Sequence, residues 1–164
     1  MIKRLISGFQ NGVDISAIFV AYRFGVEVGG TMPKGFKTLD GPRPEYAIAY
    51  NAKEHKSVSY SPRTYCNVKD ADGTLRIFTH KNSAGEICTL KAINYYNKPY
   101  IDVDLNDPIK TDKVINWITT NNIKILNVAG NSEKTSKGIT LLSGKYLYNL
   151  FLAMGFSLKK VDLK

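Results

Sequence analysis

Along this chain, short apolar runs alternate with stretches in which apolar residues recur every three or four positions, and that alternation predicts strands and helices in turn. The segment KRLIS (3–7) reads as a strand. In 13–25, Val13, Ala17, Ile18, Val20, Ala21 and Phe24 share one helical stripe, and Gly25 is a plausible stop. VEVGG (26–30) reads as a second strand ending in a double glycine. Residues 31–46 are punctuated by Gly and Pro, so little regular structure is expected there. A helix over 62–72 has Pro62 in its first turn, and a strand follows over 73–79. A helix over 83–98, a strand over 99–105 and a helix over 107–122 come next. Asp107 suits the N-cap of that last helix and Pro108 its first position. A strand over 123–130 and a closing helix over 138–154 complete the pattern.

Strand–helix alternation implies a three-layer α/β domain: a mainly parallel sheet of five or more strands with helices on both faces. A chain of 164 residues matches one such domain, spanning 1–164. In these sheets ligands sit outside the carboxyl ends of the strands, where strand order reverses.

Composition narrows the partners. Apolar residues make up 43% and charged residues 23%, which fits a folded globular chain. No apolar run approaches a membrane span, and the apolar part of MIKRLISGF is too short for a signal peptide, so a cytoplasmic location is expected. The net charge of +9 is spread along the chain and favours anionic partners: phosphates, nucleotides or nucleic acid. Cys66 and Cys88 are too few and too far apart for a metal site, so buried reduced thiols are expected and no protein-bound metal. His55 and His80 have no nucleophile nearby in sequence and read as surface or loop residues.

Candidate chemistry collects at the predicted strand ends. After the first strand come Ser7, Gly8, Phe9, Gln10, Asn11, Gly12 and Asp14, where glycines permit close backbone approach and a helix N-terminus attracts anions. The spacing is neither the dinucleotide fingerprint nor a P-loop. Asp14 would favour the helix dipole, repel a phosphate placed too close, and accept hydrogen bonds from a ligand N–H or hydroxyl. Gly29 and Gly30, then Lys34 and Gly35, follow the second strand. Thr79 closes the third, before Ser83, Ala84, Gly85 and Glu86. Asp104 ends the fourth, and Asn127 and Gly130 the fifth. Several such turns on one edge suggest one shared pocket.

The segments SGFQNGVD, GGTMPKGF, LDGPRPEY, SPRTYCNVKDADGTL, NKPYIDVDL and LNVAG follow in an order that resembles the family known as "putative molybdenum carrier". That family is Rossmann-like and allied to the LOG phosphoribohydrolases and the DNA-processing protein A fold. The first motif, about SGGQTGVD in the family, keeps Ser7, Gly8, Gln10, Gly12, Val13 and Asp14, with Phe9 and Asn11 replacing glycine and threonine. The second, about GGWCPKGR, keeps Gly29, Gly30, Pro33, Lys34 and Gly35. Asp40-Gly41-Pro42 survives, as do Arg63, Thr64, Asn67, Val68, Asp70 and Asp72. The SGGTALT turn is altered, with Ala84 for a glycine and Glu86 for a threonine.

The resemblance implies a carrier of molybdenum cofactor, a pterin with a terminal phosphate. Lys34, Arg63 and backbone amides would meet the phosphate, and Gln10, Asp14 and Asn67 the heterocycle edge. A nucleotide would satisfy the same groups, so a binder that senses or sequesters a nucleotide-derived signal (of ADP-ribose or cyclic-nucleotide type) is the rival reading. Phe9, Asn11, Ala84 and Glu86 would then set specificity, with Phe9 either stacking on a base or packing in the core. A nucleotide N-glycoside hydrolase is a third reading, but the PGGxGT signature of the LOG enzymes is absent from SAGEICT and a non-catalytic binder is favoured. Glu86 would be the base if burial raised its pKa. Nucleic acid is not an expected partner, because no known signature accompanies the ten tyrosines. The apolar closing helix could pair two copies into a homo-oligomer or could equally be core.

Overall fold

The structure, a computed structural model, describes residues 1–159. Its elements run β1 (Arg4–Ile6), α1 (Val13–Arg23), β2 (Glu27–Met32), β3 (Lys37–Thr38), β4 (Gly41–Pro42), α2 (Glu45–Tyr50) and β5 (Ala52–Glu54). They continue α3 (Tyr60–Asp70), β6 (Gly73–Phe78), α4 (Ala84–Tyr96), β7 (Tyr100–Asp104), α5 (Thr111–Thr120), β8 (Ile125–Gly130) and α6 (Ile139–Ala153). Six strands form one parallel sheet in the order β5-β2-β1-β8-β6-β7. The expected Rossmann-like α/β architecture is therefore present.

The two faces of the sheet differ because alternate residues point to opposite sides. Leu5, Val28, Leu75, Ile77, Val103, Leu126 and Val128 form one apolar core with Val13, Ala17 and Ile18 of α1, Val114 and Ile118 of α5, and Ile139, Leu147 and Phe151 of α6. The opposite face, under α3 and α4, carries Thr74, Arg76 and Asn127, all buried. Its apolar cluster is small: Val68, Ala92 and Ile93. Polar groups there bond to one another, as buried polar groups must. Asn127 Nδ2 donates to Thr74 Oγ1 at 3.2 Å across the β8–β6 pair.

Three sequence expectations are corrected. Residues 31–46 are not loop alone: β2 runs on to Met32, the β3–β4 hairpin follows, and α2 begins at Glu45. Pairing beyond local sequence decides this, because Gly30, Thr31 and Met32 are matched to Ala52, Lys53 and Glu54 of the edge strand β5. Second, the helix expected from Asp107 begins only at Thr111, preceded by Lys110; the Asp107 N–H instead closes a turn on the Asp104 carbonyl, 3.1 Å away. Third, Cys66 and Cys88 are free thiols, but each is half-buried rather than buried.

Strand order reverses between β1 and β6. After β1 the chain moves outward to β2 and β5, after β6 it moves outward to β7 on the other side, and β8 returns between them. That leaves a crevice at the carboxyl ends of β1, β8 and β6.

Candidate functional site

A cavity of about 400 Å³ occupies that crevice. Gln10 and Asp14 line it from the β1–α1 turn, Ser83, Ala84 and Gly85 from the start of α4, and Ala129, Gly130, Asn131, Ser132 and Thr135 from the end of β8. Tyr60, Ser61, Arg63 and Thr64 close it from α3, Cys88 and Thr89 from α4, and Leu39 from the β3–β4 hairpin.

At the β1 end, the Asp14 carboxylate is almost fully buried and its Oδ2 lies 3.4 Å from Arg63 Nη1. The Gln10 N–H donates to the same oxygen, also at 3.4 Å. Burial pushes the Asp14 carboxyl above its ordinary range, opposed by the Arg63 guanidinium, the Gln10 N–H and the Gly130 N–H. Ser7 Oγ donates to the Val128 carbonyl at 2.6 Å. Gly8 sits beneath this pair, where a Cβ would overlap the Arg63 guanidinium. Arg63 also lies over the Tyr60 ring at 5.8 Å, and Lys37 Nζ lies 5.5 Å from the same ring.

At the β6 end, Ser83 caps α4, accepting the Glu86 N–H at 3.3 Å. The Ala84 and Gly85 amides open the helix, where no preceding turn supplies carbonyls, and nothing stands within 4 Å of a Cβ built on Gly85. These amides and the helix dipole favour an anion in the cavity. Asn131 holds the rim: its Oδ1 accepts the Thr79 and His80 N–H groups at 3.0 and 2.9 Å, and its Nδ2 donates to the His80 carbonyl and Ser83 Oγ at 3.1 and 3.3 Å.

Of the residues singled out from sequence, Gln10, Asp14, Arg63, Ser83, Ala84, Gly85 and Gly130 line the cavity. The others have different work. Phe9 is 1% exposed within the core, its ring 5.7 Å from Tyr46, so it does not stack on a ligand in this cavity. Asn11 joins two loops, donating to Asp40 Oδ2 at 3.0 Å and accepting the Glu133 N–H at 3.3 Å. Gly12, at φ 92°, approaches protein rather than an open site: a Cβ would overlap the Asn131 carbonyl, which accepts the Val13 N–H at 3.1 Å. Gly29 and Gly30 lie inside β2, matched to Ile6 and Ala52, not after its end. Lys34 and Gly35 are exposed on the next turn, where the Gly35 N–H donates to Glu54 at 2.6 Å.

Asn67 is buried against β2. Its Oδ1 accepts the Thr31 N–H at 2.7 Å and its Nδ2 donates to the Thr31 carbonyl at 3.1 Å, as a neighbouring strand would. Asn127 lies within β8 rather than at its end. Thr79 Oγ1 donates to Ser136 Oγ at 2.6 Å, and Asp104 Oδ1 accepts the Asn106 N–H at 2.9 Å. Glu86 faces the sheet, 3.6 Å from Arg76 Nη1, while Arg76 holds Asp102 with two bonds of 2.8 and 2.6 Å. Burial pushes the Glu86 carboxyl up to about 8 although Arg76 opposes it, with Asp14 and Asp102 adding to the rise.

Tyr60, Ser61, Thr64, Cys88, Thr89, Leu39 and Asn131 were not singled out as site residues. Thr64 stood in a quoted motif, but the N-terminal turn of α3 comes to the cavity through the packing of α3 on α4 and β2, which local pattern does not reveal. Among the described residues, no group of three His, Cys, Asp or Glu side chains is placed to hold a metal ion. No helix among them is long and apolar enough to cross a membrane.

The crystal structure named "putative molybdenum carrier protein" from Syntrophus aciditrophicus SB is 32% identical to this chain, with a TM-score of 0.83, over 92% of this chain and 95% of its own. Among curated proteins none matches. The sequence pattern described as "Circularly permutated YpsA SLOG family" matches residues 5–151, from β1 into α6 and so across every segment that builds the cavity. On that span, with the parallel sheet and its crevice, the chain belongs to the circularly permutated YpsA SLOG family.

Proposed function

We propose that this protein binds a phosphate-bearing heterocycle in the cavity at the carboxyl edge of the sheet and holds it without turnover. One observation carries the reading: the free amides at the start of α4, the Arg63 guanidinium and the buried Asp14 carboxylate all line a single cavity of about 400 Å³. That volume falls within the usual range for small-molecule sites. The phosphate goes to Ala84, Gly85 and Ser83, where main-chain N–H groups and the helix dipole meet its charge. The ring lies against Tyr60, with its polar edge toward Asp14 and Arg63.

The name of the relative makes molybdenum cofactor the first cargo to test. The donor set fits it: an anion site for the terminal phosphate, an aromatic wall, and a carboxylate–guanidinium pair for the pterin. When bound, the group would bring its own metal-centred redox chemistry, and the protein would bind, orient and shield it. Holding rather than turnover is supported by the carboxylates. Glu86 is turned into the sheet against Arg76, and Asp14, the one carboxylate lining the cavity among the described residues, is paired with Arg63.

Mass spectrometry of the ligand released by heating protein purified from cells is the direct test. A pterin that fluoresces after oxidation supports the cofactor carrier. A phosphorus-containing compound with a base absorbance supports a nucleotide-sequestering protein instead. Free base accumulating from nucleoside monophosphates would refute binding without turnover.

A further inference from the structure

Asp14 and Arg63 form an ion pair that is incompletely bonded. The Gln10 N–H and Arg63 Nη1 each stand 3.4 Å from Asp14 Oδ2, at the outer limit of useful contact, and the Gly130 N–H is the other donor facing the carboxyl. Asp14 is 4% exposed, yet it lines the cavity. Arg63 Nε is buried and has no hydrogen-bond partner. Ser7, beside Asp14, spends its proton on the Val128 carbonyl. The Gln10 side chain is not available as a reader either. Its Nε2 donates to the Lys37 carbonyl at 3.0 Å and its Oε1 accepts the Leu39 N–H at 3.1 Å, which fastens the hairpin over the mouth. A buried carboxylate and guanidinium left this way retain a large desolvation cost that a ligand can offset.

The geometry points to a specific ligand edge: two adjacent N–H donors for Asp14 beside a carbonyl acceptor for Arg63. The heterocycle class with that order is the 2-amino-4-oxopyrimidine, in which an exocyclic amine, a ring N–H and a carbonyl stand in a row. Pterins and guanine share it. Adenine offers one amine beside a bare ring nitrogen, whose lone pair would face the carboxylate. Hypoxanthine keeps the ring N–H and carbonyl but lacks the amine. This inference rests on the phosphate-bearing heterocycle reading and makes it selective.

Titration calorimetry of ligand-free protein with GMP, IMP, AMP, a pterin monophosphate and ribose 5-phosphate tests it. GMP or the pterin phosphate should bind best, and whichever is tighter identifies the source of the shared edge. IMP should bind about tenfold more weakly for the lost donor, and AMP about a hundredfold more weakly for facing an acceptor with an acceptor. Asp14→Asn presents an amide to the same edge and should bring GMP and AMP within about threefold of each other. AMP binding as tightly as GMP and the pterin phosphate overturns the edge assignment and leaves the broader reading standing. Binding of none of the five overturns both. The ligand series uses the unaltered protein, so the answer does not depend on whether Asp14→Asn folds.

Discussion

Gly8 and Arg63 share one space: a Cβ on Gly8 would overlap the Arg63 guanidinium, and Asp14 Oδ2 stands 2.8 Å from the same point. The glycine after β1 therefore serves an ion pair. Gly8→Ala should push Arg63 off Asp14 and leave a buried carboxylate without its counter-charge. We expect a loss of about 1–3 kcal/mol in urea denaturation together with loss of ligand binding. Wild-type stability and affinity in this variant would show that Arg63 needs no such room.

Asn131 is 2% exposed and spends its side chain on four bonds to Thr79, His80 and Ser83. Asn131→Ala leaves two N–H groups and a carbonyl short of partners. Destabilisation of about 2–4 kcal/mol is expected, with weaker ligand binding because the Ser83 cap shifts. Asn131→Asp keeps the acceptor and should recover part of the loss in a thermal melt.

Phe9 holds φ at 59°, a region that bulky residues rarely occupy, while its ring fills the core. Phe9→Ala loses the packing and keeps the strain, so about 3–5 kcal/mol should go. Phe9→Gly loses the same ring but relieves about 1 kcal/mol or more of backbone strain. Glycine should therefore be the milder substitution. Finding alanine milder in calorimetric melting would place the cost elsewhere.

Glu86 makes stability depend on pH with a definite sign. Its carboxyl is pushed from 4.5 to about 8 in the folded protein, so the folded state keeps a proton that the unfolded chain releases above 4.5. Stability from this group falls as pH rises across that window and is flat above it. Glu86→Gln, which stays neutral, should gain on the wild type by a few kcal/mol between pH 5 and 9 in denaturant titrations. A difference independent of pH would mean that Glu86 is ionised throughout.

Much of the fold was legible because its signals are local. The apolar alternation of β6 and β8 and the helical stripe of α1 appear in windows of under a dozen residues. The cavity was half legible. The turn at 7–14 and the start of α4 follow strands, and the carboxyl edge of a parallel sheet is where ligands bind. The α3 wall was legible only in part: Arg63 stood out in its motif, but Tyr60 and Ser61 reach the cavity through the packing of α3 on α4 and β2, which no local pattern shows.

Residue type alone did not separate ligand contacts from internal contacts. Gly12 looks like a backbone kept bare for a phosphate, and it is bare for the Asn131 carbonyl. Asn67 looks like a reader of heterocycles, and it reads the Thr31 peptide. Sequence determined that glycines and amides would gather at one edge of a parallel sheet, because strand period, helix stripe and turn chemistry act over a few residues. Tertiary structure decided which of those groups face the cavity and which face another part of the chain, because a hydrogen bond between residues 36 positions apart exists only once both are packed.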